Sequence, residues 1–162
     1  MKSLFTVIKT DHRQVAELFK EIEGSSDRAR KKRTRLLVQL EEALTAHTEA
    51  EEVAVYPSLK QISATADIGY EAEEEHGVVR YLFSQIHEAD VDSEEWMARV
   101  TVLREVVEHH VKEEEDELFP KMRKVFSKEE LAQMLEHFEQ VKEQAVPDRR
   151  YEEERRSLSR VA

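Results

Sequence analysis

The 162-residue chain predicts an all-α fold: an up-down-up-down four-helix bundle with a short fifth helix and a charged C-terminal tail. Three observations carry this expectation. Charged residues make up 38% of the chain and Gly and Pro number only three each, a balance that favours long helices over strands and turns. Apolar residues recur at helical spacing in four long segments. The breaks between those segments, "GSSD", "SATAD" and "DVDS", are short, so the helices pack as antiparallel neighbours. A chain of this length forms one domain with a core large enough to fold without cross-links.

The first segment carries Leu4, Ile8, Val15, Phe19 and Ile22 on one stripe and stops at "GSSD". The second runs through Leu37, Leu40, Leu44, Ala54 and Ile62 and fades in "SATAD". Ala72, Val79, Phe83 and Ile86 mark the third, ending before "DVDS". The fourth holds Trp96, Val100, Leu103, Val107, Leu118 and Val125. Ser127 with Glu130 three residues on matches a capping box, which starts a fifth helix through Leu131, Leu135 and Phe138 that Pro147 should end. The bundle and its fifth helix are assigned to residues 1–142, and the charged tail to 143–162.

Composition narrows the function. With no Cys, disulfides and thiolate metal sites are excluded. The start "MKSLFTVIKTDH" has no apolar run of signal-peptide or membrane-spanning length, so a cytoplasmic location without membrane contact is expected. A formal net charge of −11 argues against nucleic-acid binding.

The polar exceptions on the apolar stripes carry the chemistry. The step from Ile8 to Val15 passes through His12, and that from Leu44 to Ala54 through His47 and Glu51. His76 lies between Ala72 and Val79, and His110 and Glu114 between Val107 and Leu118. These residues fall where the buried seam should be, and buried charge has to be neutralised by a partner or a metal. They also share a depth: His47 and His76 straddle "SATAD", and His76 and His110 straddle "DVDS", while His12 and His47 centre slightly past "GSSD".

An internal repeat singles them out further. "HTEAEEVAVYP" from His47 and "HVKEEEDELFP" from His110 share His, then Glu at four, an aromatic at nine and Pro at ten residues on. "DHRQVAELF" at Asp11 and "EHGVVRYLF" at Glu75 likewise align, so the chain reads as two similar helical hairpins. Residues four apart share a helix face, and each His-x3-Glu pair aims at one point. Four imidazoles and two carboxylates on a pseudo-twofold suit two metal ions with both carboxylates bridging. Such a ligand set leaves coordination places for water, hydroxide or a small diatomic. Its N/O donors suit iron or manganese, and are also compatible with zinc and copper. The plainer alternative is a set of buried His–Glu hydrogen bonds with no metal.

Together, "DH", "HTEAE…YP", "EEEH" and "HVKEE…FP" over roughly residues 1–126 resemble the hemerythrin-like, or HHE cation-binding, family. The resemblance implies a four-helix bundle holding two non-haem iron ions, an oxo- or hydroxo-bridged di-iron centre. In this chain His12 and His47 would ligate one iron, His76 and His110 the other, with Glu51 and Glu114 bridging. The implied partner is a small diatomic or peroxide; reversible O2 binding, sensing, nitric oxide or peroxide chemistry and metal storage all occur in the family. Two departures bear on the role. Oxygen carriers have a further His where this chain has Arg80, which leaves the second iron short of a ligand unless a group such as Glu73 replaces it. Carriers also place a bridging Asp where Glu115 stands here. Both departures favour redox, sensing or storage over stable O2 carriage, including a non-catalytic sensor or iron store acting through a protein partner.

The remaining polar residues have plainer readings. His109, one helix step from His110, is expected to face solvent, as are Glu113, Asp116 and Glu117. His87 and His137 are expected at the surface. Tyr56, Phe119, Trp96 and the methionines are expected in the core, with Pro57 and Pro120 bending their helices. "RARKKRTR" is read as a solvated helix start.

Overall fold

A computed structural model describes residues 2–26 and 28–145. Among them are helices α1 (Leu4–Glu23), α2 (Arg30–Ala54), α3 (Tyr56–Leu59), α4 (Ala66–Glu88), α5 (Glu94–Glu113), a π-helical turn (Glu114–Leu118), α6 (Phe119–Val125) and α7 (Lys128–Gln144). No strand occurs among the described residues, and no described helix is long and apolar enough to cross a membrane. Helices α1, α2, α4 and α5 form the up-down-up-down bundle: α1 packs on α2 and α5, and α4 on α5 and α2.

Local chemistry accounts for the ends. The Ser3 and Ser93 hydroxyls accept from the amides of Thr6 and Trp96, opening α1 and α5. Ser127 and Glu130 form the reciprocal capping box that opens α7. The second and fourth segments are not continuous. Proline cannot donate to the helical ladder and its ring collides with the carbonyl four residues back. Ahead of Pro57 the α2 helix ends at Val55 (φ −118°, ψ −57°), and the one-turn helix α3 follows at Tyr56–Leu59. Ahead of Pro120 the π turn absorbs the mismatch, as such turns do at functional positions.

The core is divided. One apolar cluster joins Leu4, Ile8, Leu59, Phe119 and Phe138 at one end; another joins Val15, Phe19, Leu40, Phe83 and Trp96 at the other. The polar layer of His12, His47, His76 and His110 lies between them, at the level where Ile8 gives way to Val15 on α1.

Two sequence expectations need correction here. The fifth helix is not short: α7 has 17 residues, packs along α2 and reaches α1. Residues 143 and 144, assigned to the tail, belong to α7, and the expected stop at Pro147 and the rest of the tail beyond residue 145 fall outside the described residues. The basic run is solvated except at Arg33, which is 5% exposed. Its guanidinium donates to Ser25 Oγ, the Ser25 carbonyl and the Val91 carbonyl and lies over Trp96, so it ties two turns together at one end of the bundle.

Phe138 anchors α7: it is fully buried, its ring edge-on to His47 with centroids 6.1 Å apart. Phe138→Ala should destabilise the chain by about 3–5 kcal/mol, the usual range for a large aromatic removed from a packed core. Urea denaturation, read as a fall in midpoint at constant slope, checks this.

Candidate metal centre

All six residues marked by the repeat are buried and converge. His12 comes from α1, His47 and Glu51 from α2, His76 from α4, His110 from α5 and Glu114 from the start of the π turn; none is more than 6% exposed. They divide into two overlapping groups of metal-ligating atoms: His12, His47, Glu51 and Glu114, and Glu51, His76 and His110. The imidazole rings pair accordingly, His12 with His47 at 5.1 Å between centroids and His76 with His110 at 4.8 Å.

The inward atoms are spaced for an ion. His12 Nε2 lies 3.2 Å from Glu114 Oε2, His47 Nε2 3.3 Å from Glu51 Oε2, His76 Nε2 3.5 Å from Glu51 Oε2 and His110 Nε2 3.6 Å from Glu114 Oε2. Two donors each about 2.1 Å from one ion, at about 90–110° to each other, are roughly 3.0–3.5 Å apart. Although His12 Nε2 faces Glu114 Oε2 and His47 Nε2 faces Glu51 Oε2, the buried His12 Nε2, His47 Nε2, Glu51 Oε1 and Glu114 Oε2 make no hydrogen bond of proper geometry among the described residues. Buried polar atoms are normally satisfied, and this orphaned set at ligand spacing fits a bound metal better than a hydrogen-bonded core.

A ring of carboxylates fixes the imidazoles from outside. Glu115 sits 2.9 Å from His12 Nδ1, Asp11 3.2 Å from His47 Nδ1, Glu52 2.9 Å from His76 Nδ1 and Glu75 2.7 Å from His110 Nδ1. Each imidazole that gives its Nδ1 proton to a carboxylate keeps Nε2 free for a metal, the usual arrangement around histidine ligands. The pattern obeys the repeat. The acid before the first His of each hairpin (Asp11, Glu75) holds the second His of the same hairpin, while the acid after each Glu ligand candidate (Glu52, Glu115) holds the first His of the other hairpin. Sequence reasoning missed all four; the signal available was that each stands next to a marked residue within the repeat.

The electrostatics follow. With protons alone to balance the carboxylates, burial pushes His76 down, but hydrogen bonds to Glu51 and Glu52 and the charges of Glu51 and Glu114 outweigh it and raise its pKa to about 9. His12 and His110 are raised against the same burial penalty. Burial pushes Glu51 up, yet the surrounding imidazoles hold it far below the usual carboxylate range. Asp11, Glu52 and Glu115 are lowered in spite of burial by their His and Lys or Arg partners.

Tyr56 is the main surprise. Its ring is in the core as expected, fully buried, but its hydroxyl lies 3.2 Å from Glu51 Oε2, Glu114 Oε1 and His76 Nε2. It therefore faces the group of Glu51, His76 and His110, which has three members against four in the other. Glu73, the replacement ligand left open above, does not do so: it is ion-paired with Lys60. Arg80 is 56% exposed and pairs with Glu52 at 2.7 Å, so it acts on His76 only through that carboxylate. His109, Asp116, Glu117 and His137 are exposed, Glu113 is half-buried, and His87 contacts Glu41 away from the cluster.

Tyr56→Phe should keep the fold while weakening metal retention roughly 10–100-fold, the range for groups that position ligands. Competition against a chromophoric chelator measures it.

The model for the "Hemerythrin HHE cation binding domain" matches residues 3–122. A curated relative from Nostoc sp. (strain PCC 7120 / SAG 25.82 / UTEX 2576), named "DNA nickase", is 33% identical over 136 residues, covering 84% of this chain but 38% of the relative. The chain thus spans well under half the length of that protein. Among solved structures, the Hemerythrin HHE cation binding domain-containing protein from Mycobacterium kansasii, an Rv2633c homolog, superposes with a TM-score of 0.77. It covers 90% of this chain and 88% of its own at 23% identity, a likeness of fold.

Proposed function

Because the chain belongs to the hemerythrin HHE cation-binding domain family, we propose that its His/Glu cluster holds two non-haem iron ions and binds or reacts with O2 or a related small oxidant such as peroxide or nitric oxide. The observation that carries this reading is the orphaned donor set, His12 Nε2, His47 Nε2, Glu51 Oε1 and Glu114 Oε2, buried at ligand spacing. His12 and His47 would hold one ion and His76 and His110 the other, with Glu51 and Glu114 between them and Tyr56 beside the second. Bound iron would supply reversible redox change and open positions for a small ligand. The chain's own part is to keep four Nε2 atoms deprotonated and aimed inward through Asp11, Glu52, Glu75 and Glu115. It also surrounds them with apolar walls.

Those walls favour a small ligand. A partly enclosed space of about 20 Å³ abuts all four imidazoles and is walled by Val15, Leu44, Val79, Val107 and Val111. That is room for one water-sized or diatomic molecule. Tyr56 and the Thr48 hydroxyl are the neutral polar side chains nearest this layer, and Tyr56 is held strongly against ionisation by burial and by the Glu114 and Glu51 charges.

The name of the Nostoc relative raises DNA cleavage as another activity. The net charge of −11 opposes binding to a phosphate backbone, and the cluster is buried beyond reach of a strand. A non-catalytic sensor or iron store remains the alternative reading for the same centre. Metal analysis with an absorption scan after aerobic purification tests the centre: about two irons per chain are expected, and fewer than about one with no gain on reconstitution overturns it. Peroxide decay by the iron-loaded chain, abolished in His110→Ala, favours an enzyme; no turnover favours the sensor or store.

A further inference from the structure

We propose that Glu75, His109 and Glu113 form a second, solvent-facing site for a divalent transition-metal ion, separate from the buried cluster. His109 and Glu113 repeat on the outer side of α5 the His-x3-Glu spacing that His110 and Glu114 show inside, and Glu75 faces them from α4. One ligand atom from each of the three lies within 4.8 Å of the others. His109 Nε2 is 3.6 Å from Glu75 Oε1 and 3.5 Å from Glu113 Oε1. Both separations are longer than the usual hydrogen-bond range and close to the roughly 3.0–3.5 Å between donors sharing one ion.

The charge pattern around the bundle supplies an independent reason. Of the four carboxylates that hold the imidazoles, three are backed by a fixed cation: Glu115 by Lys9, Asp11 by Lys142 and Glu52 by Arg80. At the fourth, Glu75, no Lys or Arg among the described residues takes that place. The groups there are His109 and a second carboxylate, Glu113. An imidazole and two carboxylates are a neutral-plus-anionic donor set of the kind that suits Mn(II), Fe(II) or Zn(II), and such an ion would stand beside Glu75 as Lys9, Lys142 and Arg80 stand beside the other three carboxylates. Glu75 is preorganised for it, since its other oxygen is fixed 2.7 Å from His110 Nδ1. His109 is 60% exposed, so an ion there keeps water ligands and exchanges readily.

Calorimetric titration of Zn2+ into the full chain, with His109→Ala and Glu113→Gln beside it, tests the site. The wild type should take up one readily exchanging ion per chain that desalting removes, and both variants should lose that ion. Both should melt within about 2 °C of wild type after chelator treatment, as surface substitutions do. Equal uptake of exchanging ions by all three chains, or none by the wild type, overturns the proposal. Ions that survive desalting report the buried cluster instead, so their absence would count against the di-iron reading and leave this result to be read separately.

Discussion

Stripping metal with a chelator should lower the melting temperature by roughly 8–16 °C, and the loss should widen as pH rises from 6.5 to 9. An ion present at about a thousand times its dissociation constant stabilises by about 4 kcal/mol, and each kcal/mol moves a domain of this size by about 2–4 °C. The pH dependence comes from the protons that stand in for the ion. His76 is raised from 6.5 to about 9 by its hydrogen bonds to Glu51 and Glu52 and the nearby charges, which outweigh burial. A group whose folded pKa is raised contributes stability that is fully present below its unfolded value and lost as pH climbs through the folded one. The chelated chain should therefore melt at lower temperature at pH 9 than at pH 6.5. His12 and His110, raised in the same direction, add to the fall. The loaded chain should not show it, because metal binding requires those imidazoles unprotonated. Melts of loaded and chelated protein across this range give the answer, and parallel curves would sink the assignment of the histidines as ligands.

Glu51→Ala should abolish retention of both ions, with affinity falling on the order of a thousandfold, beyond the roughly 10–100-fold expected of a residue that only orients ligands. Glu51 belongs to both groups of candidate donors. One oxygen lies 3.3 Å from His47 Nε2 and 3.5 Å from His76 Nε2, and the other is orphaned. Its removal takes charge from both sides at once, whereas Glu52→Ala should weaken mainly the His76 side. A variant that fails to fold would be uninformative, so Glu51→Gln, which preserves shape, accompanies it. Metal content after desalting is the measurement; two ions retained by Glu51→Gln would show that the carboxylate charge is not what holds them.

How far the site could be read from residues depends on where its information lies. That His12, His47, Glu51, His76, His110 and Glu114 meet in one buried layer was legible because each interrupts an apolar stripe and the repeat selects them from ambiguous acidic runs. Glu73 stayed an open candidate because three residues from His76 is close enough on a helix to share its face; its side chain instead pairs with Lys60. Tyr56 was read as core, rightly for its ring; that its hydroxyl meets both carboxylates is set where α2 ends at Val55 just before it. The second segment was read as continuous because the apolar spacing runs on to Ile62, and Pro57 was credited with a bend rather than a break.

The sequence by itself determined four amphipathic helices, the level at which their polar residues meet, and one His or His-x3-Glu from each. Periodicity is a local property and survives without knowing what lies opposite. Only the tertiary structure decided which acids hold the imidazoles. Those contacts span separations of 24 residues between Glu52 and His76 and 103 between His12 and Glu115. In "EEED" and "EAEE" neighbouring acids differ by a single 100° step, and the helix-to-helix distances and the π turn choose among them.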